Sequence, residues 1–93
     1  MNPRKTNVFL AIIASKMAAN GKIILLYFLS RAAQNARNEL RLEKPEATHE
    51  RIAKDCSMSV PTVQRQMKQL LRGAVVLRGG FYQLAIKTKA TTK

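Results

Sequence analysis

The segment from Thr48 to Leu84 constrains the fold more than any other part of this 93-residue chain. Residues 48–56 have the apolar spacing of a short helix, and a longer helix with one apolar stripe is predicted over 60–72. Ser59 is a preferred residue at a helix N-terminus, and Pro61 fits the first helical turn. The segment therefore predicts a helix, a tight turn and a second helix, with a β-hairpin after them.

The hairpin is indicated by a pair of glycines between two β-rich runs. Residues 74–77 and 81–86 flank Arg78-Gly79-Gly80, and Gly-Gly at such a place is typical of a hairpin turn. We therefore expect Arg78 at the tip of a short hairpin. Among the aromatic side chains, Tyr82 is the one that we expect to be exposed.

The first half of the chain predicts two more helices. Thr6 or Asn7 can cap a first helix, which runs until Asn20-Gly21 ends it. A second helix is predicted over residues 22–37. Its residues 23–29 are apolar almost all round the helix, which is typical of the buried central helix of a core.

A short strand and a break connect the two halves. Residues 38–42 alternate like a strand, with Leu40 and Leu42 on one face, and Lys44-Pro45-Glu46 interrupts the chain before Thr48. The predicted fold is mainly α with a small β-hairpin, in the order α-α-β-α-α-β-β.

Length and composition indicate one small domain over residues 8–86, with a flexible basic N-terminal arm (1–7) and a flexible basic tail (87–93). The single cysteine excludes an intrachain disulfide and favours a reducing cytoplasm. The longest apolar run is far shorter than the roughly 20 residues of a membrane span. We expect a soluble chain without a membrane partner.

The distribution of charge along the chain is more informative about a binding partner than the net charge of +12. All five acidic residues lie between Glu39 and Asp55, and the segments on either side contain basic residues but no acidic ones. A basic surface without compensating acids attracts phosphate backbones, whereas a merely solubilising surface usually mixes both signs. The distribution favours a nucleic acid as partner.

The helix predicted over 60–72 separates an apolar stripe from a cationic ridge by spacing alone. A cationic ridge opposite the core is what a helix in a DNA major groove needs. The two faces are Val63, Met67, Leu70 and Leu71 for the stripe, and Pro61, Arg65, Lys68 and Arg72 for the ridge.

Several short motifs in this region carry a resemblance to a known family. They are Ile52-Ala53, Ser57-Met58-Ser59, Thr62-Val63, Arg65 and Lys68 with Leu70. Together they resemble the core pattern of bacterial winged helix-turn-helix regulators over about 48–84. The preceding helix and strand, with Tyr82-Gln83-Leu84, also resemble RepL-type plasmid replication proteins over about 8–86. The resemblance implies a winged helix-turn-helix fold, with 60–72 as recognition helix and 78–80 as the wing.

The positions that meet base edges in such regulators correspond here to an unusual set. Arg65 suits guanine, Gln64 suits adenine, and Thr62 is a third donor or acceptor. Val60 and Pro61 can at most touch a thymine methyl group. We therefore expect strong non-specific affinity, with specificity partly from DNA shape or from cooperative binding to repeated sites.

Phosphate contacts are expected from helix N-termini and from the remaining cations. The hydroxyls of Thr48 and Ser59 either cap their helices or bind phosphate, and both roles can coexist. The expected phosphate contacts are Thr48, Ser59, Lys68, Arg72, Arg78 and Gly79.

Catalysis, a metal site and a cofactor are not expected. His49 and Cys56 are the only residues of their types, and about two helical turns of separation keep them from forming a dyad. Interaction with protein alone, RNA stacking or binding to anionic membranes fits the charge pattern and the aromatic residues less well.

The sequence thus predicts a sequence-specific double-stranded DNA-binding protein, a transcriptional regulator of a plasmid or phage in a bacterial or archaeal cytoplasm. The alternative is a plasmid replication-initiation or partition-site protein. A single recognition helix reads few base pairs, so a homodimer or a cooperative oligomer is expected. Val8, Ile12, Ile13 and Met17 could pair two copies or fill the chain's own core, and Gln66 faces either a partner or solvent.

Overall fold

The computed structural model describes residues 3–37 and 39–86 of the chain. Two α-helices and two strands are followed by a turn of 3-10 helix, two further α-helices and two further strands. The elements are α1 (Pro3–Ala14), α2 (Ala19–Arg31), β1 (Ala33–Gln34), β2 (Leu40–Glu43), the 3-10 helix (Lys44–Ala47), α3 (His49–Asp55), α4 (Val60–Leu70), β3 (Val75–Arg78) and β4 (Phe81–Leu84).

The strands form one antiparallel sheet in the order β1-β2-β4-β3. Strand β4 is paired on both sides, since Tyr82 lies opposite Leu42 of β2 and opposite Leu77 of β3. The predicted hairpin is confirmed, and the predicted strand over 38–42 is present as β2. Because β1 and β2 extend the hairpin into a four-stranded sheet, the domain is a helix-rich mixed α/β fold rather than mainly α.

Helix α2 lies at the centre of the core. Ile24, Leu25 and Phe28 are at most 1% exposed, and α2 contacts α1, α4 and β2. The ring of Phe28 packs against the ring of Tyr82, with the centroids 5.5 Å apart. Neighbours on several sides require apolar residues on several faces of the helix. The prediction of a buried central helix is confirmed for Ile24, Leu25, Phe28 and Leu29, whereas Ile23 is 43% exposed.

Helix α1 begins earlier and ends earlier than the sequence predicts. It starts at Pro3, where the fixed φ of proline suits a first helical turn, so residues 3–7 are helical and do not form an arm. It stops at Ala14, and the hydroxyl of Ser15 donates to the Ile12 carbonyl at 2.8 Å. Residues 87–93, predicted as a tail, lie outside the described residues.

Asn20-Gly21 lies inside the first turns of α2 and does not end α1. The reason for the glycine is close packing: a Cβ at Gly21 would lie 3.1 Å from Met17 Cγ and 3.2 Å from Gln66 Oε1. Gln66 therefore projects across to α2, and this contact within the chain replaces both expectations for its side chain. The glycine permits close approach between α2 and α4.

Helix α2 also ends at Arg31, six residues before the predicted boundary at Arg37. Ala32 is extended, and the side chain of Asn35 accepts hydrogen bonds from the backbone N–H groups of Arg37 (2.9 Å) and Glu39 (3.0 Å). An asparagine that bonds its own following backbone favours a turn over a helix. The turn joins β1 to β2.

The carboxylate of Glu39 connects this turn to the sheet. It accepts hydrogen bonds from Asn35 Nδ2 and from the Arg41 guanidinium, both at 2.8 Å. These contacts, first of all the bond from Asn35, hold the pKa of Glu39 below its usual value. A carboxylate with a lowered pKa stabilises the fold above its unfolded-state pKa, and that contribution is lost as the pH falls through the folded-state pKa.

We therefore expect Glu39→Gln to reduce the acid sensitivity of the fold. Wild type should lose more unfolding free energy than the variant between about pH 5 and about pH 2, because glutamine keeps the shape but has no proton to take up. Urea unfolding at a series of pH values measures the difference. An equal loss in both proteins would show that Glu39 does not contribute to acid unfolding.

Helices α3 and α4 are joined by a tight turn, as predicted. Thr48 Oγ1 accepts the N–H of Arg51 at 3.2 Å and Ser59 Oγ accepts the N–H of Thr62 at 3.3 Å, so both residues cap their helices. Ser57 in the turn has a left-handed φ of 56°.

Helix α4 ends two residues before its predicted end. It stops at Leu70, and the N–H of Gly73 bonds to the Leu70 carbonyl at 3.2 Å in the turn that follows. Leu71 and Arg72 therefore lie in that turn and are no longer part of the helix. Val63, Met67 and Leu70 are buried, but Leu71, predicted in the apolar stripe, is 40% exposed.

Candidate nucleic-acid interface

The outer face of α4 and the start of α3 form an open depression of about 550 Å³. It is lined by Met67 and Leu71, by His49 of α3, and by four residues of α4 that we call the α4 ridge: Pro61, Gln64, Arg65 and Lys68. All four ridge residues are exposed, because Val63, Met67 and Leu70 hold the opposite side of the helix in the core. The predicted separation of the two faces is confirmed over residues 60–70.

The five predicted base-contact residues divide into two groups. Pro61, Gln64 and Arg65 are exposed on the α4 ridge. Val60 is half-buried against the core. Thr62 is also half-buried, and its hydroxyl accepts a hydrogen bond from Ser59 Oγ at 2.8 Å. Gln64 and Arg65 are thus the exposed side chains in this set that have hydrogen-bonding groups.

The predicted phosphate contacts are distributed over three elements. Lys68 lies on the α4 ridge, Arg72 is exposed in the turn after α4, and Arg78 is exposed at the end of β3. The hydroxyls of Thr48 and Ser59 are used in capping bonds. The placement of Arg72 corrects its assignment to the helical ridge.

The hairpin turn consists of Gly79 and Gly80, and Arg78 is the last residue of β3, opposite Phe81. Gly79 has a left-handed φ of 57°, which glycine adopts more easily than other residues because it has no Cβ. The carbonyl of Gly80 accepts the N–H of Lys44 at 2.9 Å. The tip of the hairpin is therefore held against the start of the 3-10 helix.

The ion pairs within residues 3–37 and 39–86 lie away from α4. They join Arg31 to Glu46 at 3.3 Å and Arg41 to Glu39 at 2.8 Å. Asp55, a third acid, accepts a hydrogen bond from the Tyr27 hydroxyl at 2.7 Å. Arg65 and Lys68 have no carboxylate within ion-pair distance in this part of the chain, so the ridge presents unneutralised positive charge.

Tyr82 is not the exposed ring that the sequence predicts. It is 6% exposed, and its ring packs against Phe28. Burial raises the pKa of its hydroxyl above the usual value. The pairing of β2 with β4 causes this, because it turns Tyr82 to the face of the sheet that Leu42 shares.

His49 is the residue near the site that sequence reasoning missed. It lines the depression beside the α4 ridge and also a neighbouring one with Thr48 and Glu50. The signal was present, since the Thr48 cap puts His49 at the first position of α3. Because His49 is more than ten residues from the α4 ridge in sequence, its position beside the ridge was not predicted.

Cys56 has the environment of a packing residue. It is half-buried against the core, and burial raises the pKa of its thiol, so the reactive thiolate is disfavoured. In the described ranges, no three side chains from His, Cys, Asp and Glu gather as metal ligands would. No helix of that same part of the chain has the length and apolar character needed to cross a membrane.

No protein-family model matches the chain, and a search of curated proteins finds no relative.

Proposed function

We propose that this chain is a winged helix-turn-helix protein that binds duplex DNA, with α4 in the major groove and the β3–β4 hairpin as a wing on the flank. The observation that carries the proposal is the α4 ridge, which is exposed, cationic and free of acidic residues. An α-helix with its side chains is about 10–12 Å across, which fits the roughly 12 Å width of the major groove. Arg78 at the end of the hairpin supplies charge for a flanking phosphate.

Within the ridge, the roles follow from side-chain chemistry. Arg65 can donate two parallel hydrogen bonds to a guanine edge, and Gln64 can pair with an adenine edge. Lys68 is a point charge that suits a phosphate. Because Gln64 and Arg65 are the two predicted base-contact residues that are both exposed and able to hydrogen-bond, affinity depends mainly on the phosphate backbone and specificity on few base pairs.

We further propose that the protein acts as a transcriptional regulator of a plasmid or phage in a cytoplasm. The net charge of +12 and the confinement of all five acidic residues to positions 39–55 support binding to a polyanion as its task. Footprinting on the DNA that flanks its own gene tests the assignment. Protection of a promoter operator supports regulation, whereas protection of an array of repeats indicates replication or partition.

The DNA-binding proposal predicts different defects for two neighbouring variants. A preferred duplex is first selected from a random library, and affinities are then measured by fluorescence anisotropy. Arg65→Ala should weaken binding to the preferred duplex by roughly 1–3 kcal/mol and reduce discrimination. Lys68→Ala should weaken binding to preferred and random duplexes alike and reduce the salt slope by about 1.

Lys54→Ala is the control for the loss of one positive charge. Lys54 is exposed on α3 but does not line the depression beside the α4 ridge. The Lys54→Ala variant should bind duplex DNA within about twofold of wild type, because salt screens the attraction between a phosphate and a charge outside the interface. If Arg65→Ala and Lys68→Ala also bind every duplex as wild type does, α4 does not face the groove.

A further inference from the structure

The outer surface of α1 and α2 carries apolar side chains that no described residue covers. On α1, Phe9 is 37% exposed, Leu10 56% and Ile13 48%, whereas Val8 and Ile12 fill the core. An exposed apolar cluster of this kind on a small domain marks an interaction site more often than chance exposure does. We call Phe9, Leu10, Ile13 and Leu26 the α1–α2 patch.

The α1–α2 patch has both a groove and a projecting edge. The groove holds about 430 Å³ and is lined by Lys5, Phe9, Leu26, Leu29 and Ser30. Leu10 and Ile13 lie on the same helix as Phe9 and are the most exposed large apolar residues of α1. A surface that contains a ridge next to a groove can pair with itself across a two-fold axis, because each ridge then fills the other groove.

We propose that the α1–α2 patch binds the same patch of a second copy of this chain. Residues 87–93 are poorly suited to cover the patch, because they contain no large apolar side chain. Lys5 is the one charged residue that lines the groove, so the surface offers little to a strongly charged partner. The need for two copies rests on the proposed function: one short helix reads few base pairs, and two-fold pairs read half-sites about 34–36 Å apart.

Area and charge together make this dimer weak in the free protein. A 12-residue helix is about 18 Å long, so a patch of four side chains along it is smaller than the roughly 800 Å² per partner of a standard interface. Two molecules of net charge +12 also repel each other. Because salt screens that repulsion, self-association through the patch should strengthen as salt rises, whereas DNA binding should weaken.

The test is sedimentation of the full chain without DNA, at about 50 mM and about 500 mM NaCl. Wild type should shift from monomer towards dimer as protein concentration and salt rise. Leu10→Gln and Ile13→Gln should remain monomeric under both conditions, with unchanged circular dichroism. Leu77→Gln is the control, because Leu77 is 44% exposed on β3, and it should associate as wild type does.

Three outcomes would overturn the proposal. Wild type could stay monomeric at all concentrations, Leu10→Gln could associate as strongly as wild type, or association could fall as salt rises, which indicates ion pairs. Vesicles of neutral phosphatidylcholine form the other arm: Leu10-dependent binding to them, without a dimer, assigns the patch to a membrane surface. Because no duplex is present in this experiment, its result does not depend on DNA binding. A failure of the proposed function would appear in the anisotropy measurements and is therefore distinguishable from a failure to dimerise.

Discussion

Phe28→Ala should remove most of the stability of the domain. The free energy of unfolding of a small domain is about 5–10 kcal/mol, and truncating a buried phenylalanine lowers it by about 3–5 kcal/mol. Phe28 is 1% exposed, packs on Tyr82 and belongs to the helix that α1, α4 and β2 all contact. The cavity would therefore affect every layer of the core. Urea unfolding should show a much lower midpoint with an unchanged slope.

Phe9→Ala provides the control for this prediction. It removes the same atoms from a ring that is 37% exposed on α1. Its loss of unfolding free energy should be below about 1 kcal/mol, as for other surface changes. Equal losses for the two variants would mean that α2 is not the centre of the core.

Affinity for any duplex should fall about forty-fold per bound copy when NaCl rises from about 50 mM to about 200 mM. Three cations outside the base-reading pair, Lys68, Arg72 and Arg78, would each displace about one counterion, and the resulting slope of log affinity against log salt is about −2.7. Anisotropy titrations over a salt series measure it. Removing all three side chains should flatten the slope towards zero.

Arg31→Ala is the matched control for the salt experiment. Its guanidinium is already paired with Glu46 at 3.3 Å, so it has less charge to offer a phosphate. This variant should keep the wild-type slope. A slope that responds to Arg31 as strongly as to Arg72 would place the DNA on a different face of the domain.

The second half of the chain was predictable from local signals. The caps at Thr48 and Ser59 and the turn at Gly79-Gly80 each involve residues close in sequence, and all are present. The α4 ridge followed from helical spacing. The end of α4 was missed by two residues, because nothing local distinguishes the last helical turn from the turn after it.

The first half of the chain, and the burial of Tyr82 in the second half, were less predictable because distant contacts determine them. Gly21 resembles a helix terminator, but the approach of Gln66 from α4 explains it. Tyr82 is buried because β4 pairs with β2 across some forty intervening residues, and no local pattern reveals such a pairing. Asn35 was the missed local signal. Its side chain accepts the backbone N–H of Arg37 and so forms a turn where the sequence predicts a continuation of α2.

The double pairing of β4 has a consequence for how the protein could adapt to a ligand. The hairpin is bonded to β2 along its length, and its tip is bonded to Lys44, just before the helices of the candidate interface. The hairpin therefore cannot tilt without breaking hydrogen bonds of the sheet, which restrains it relative to the segment that leads into α3. On the proposed duplex, any mismatch in groove width must be taken up by the nucleic acid, so flexible base steps would be favoured at positions that no side chain touches.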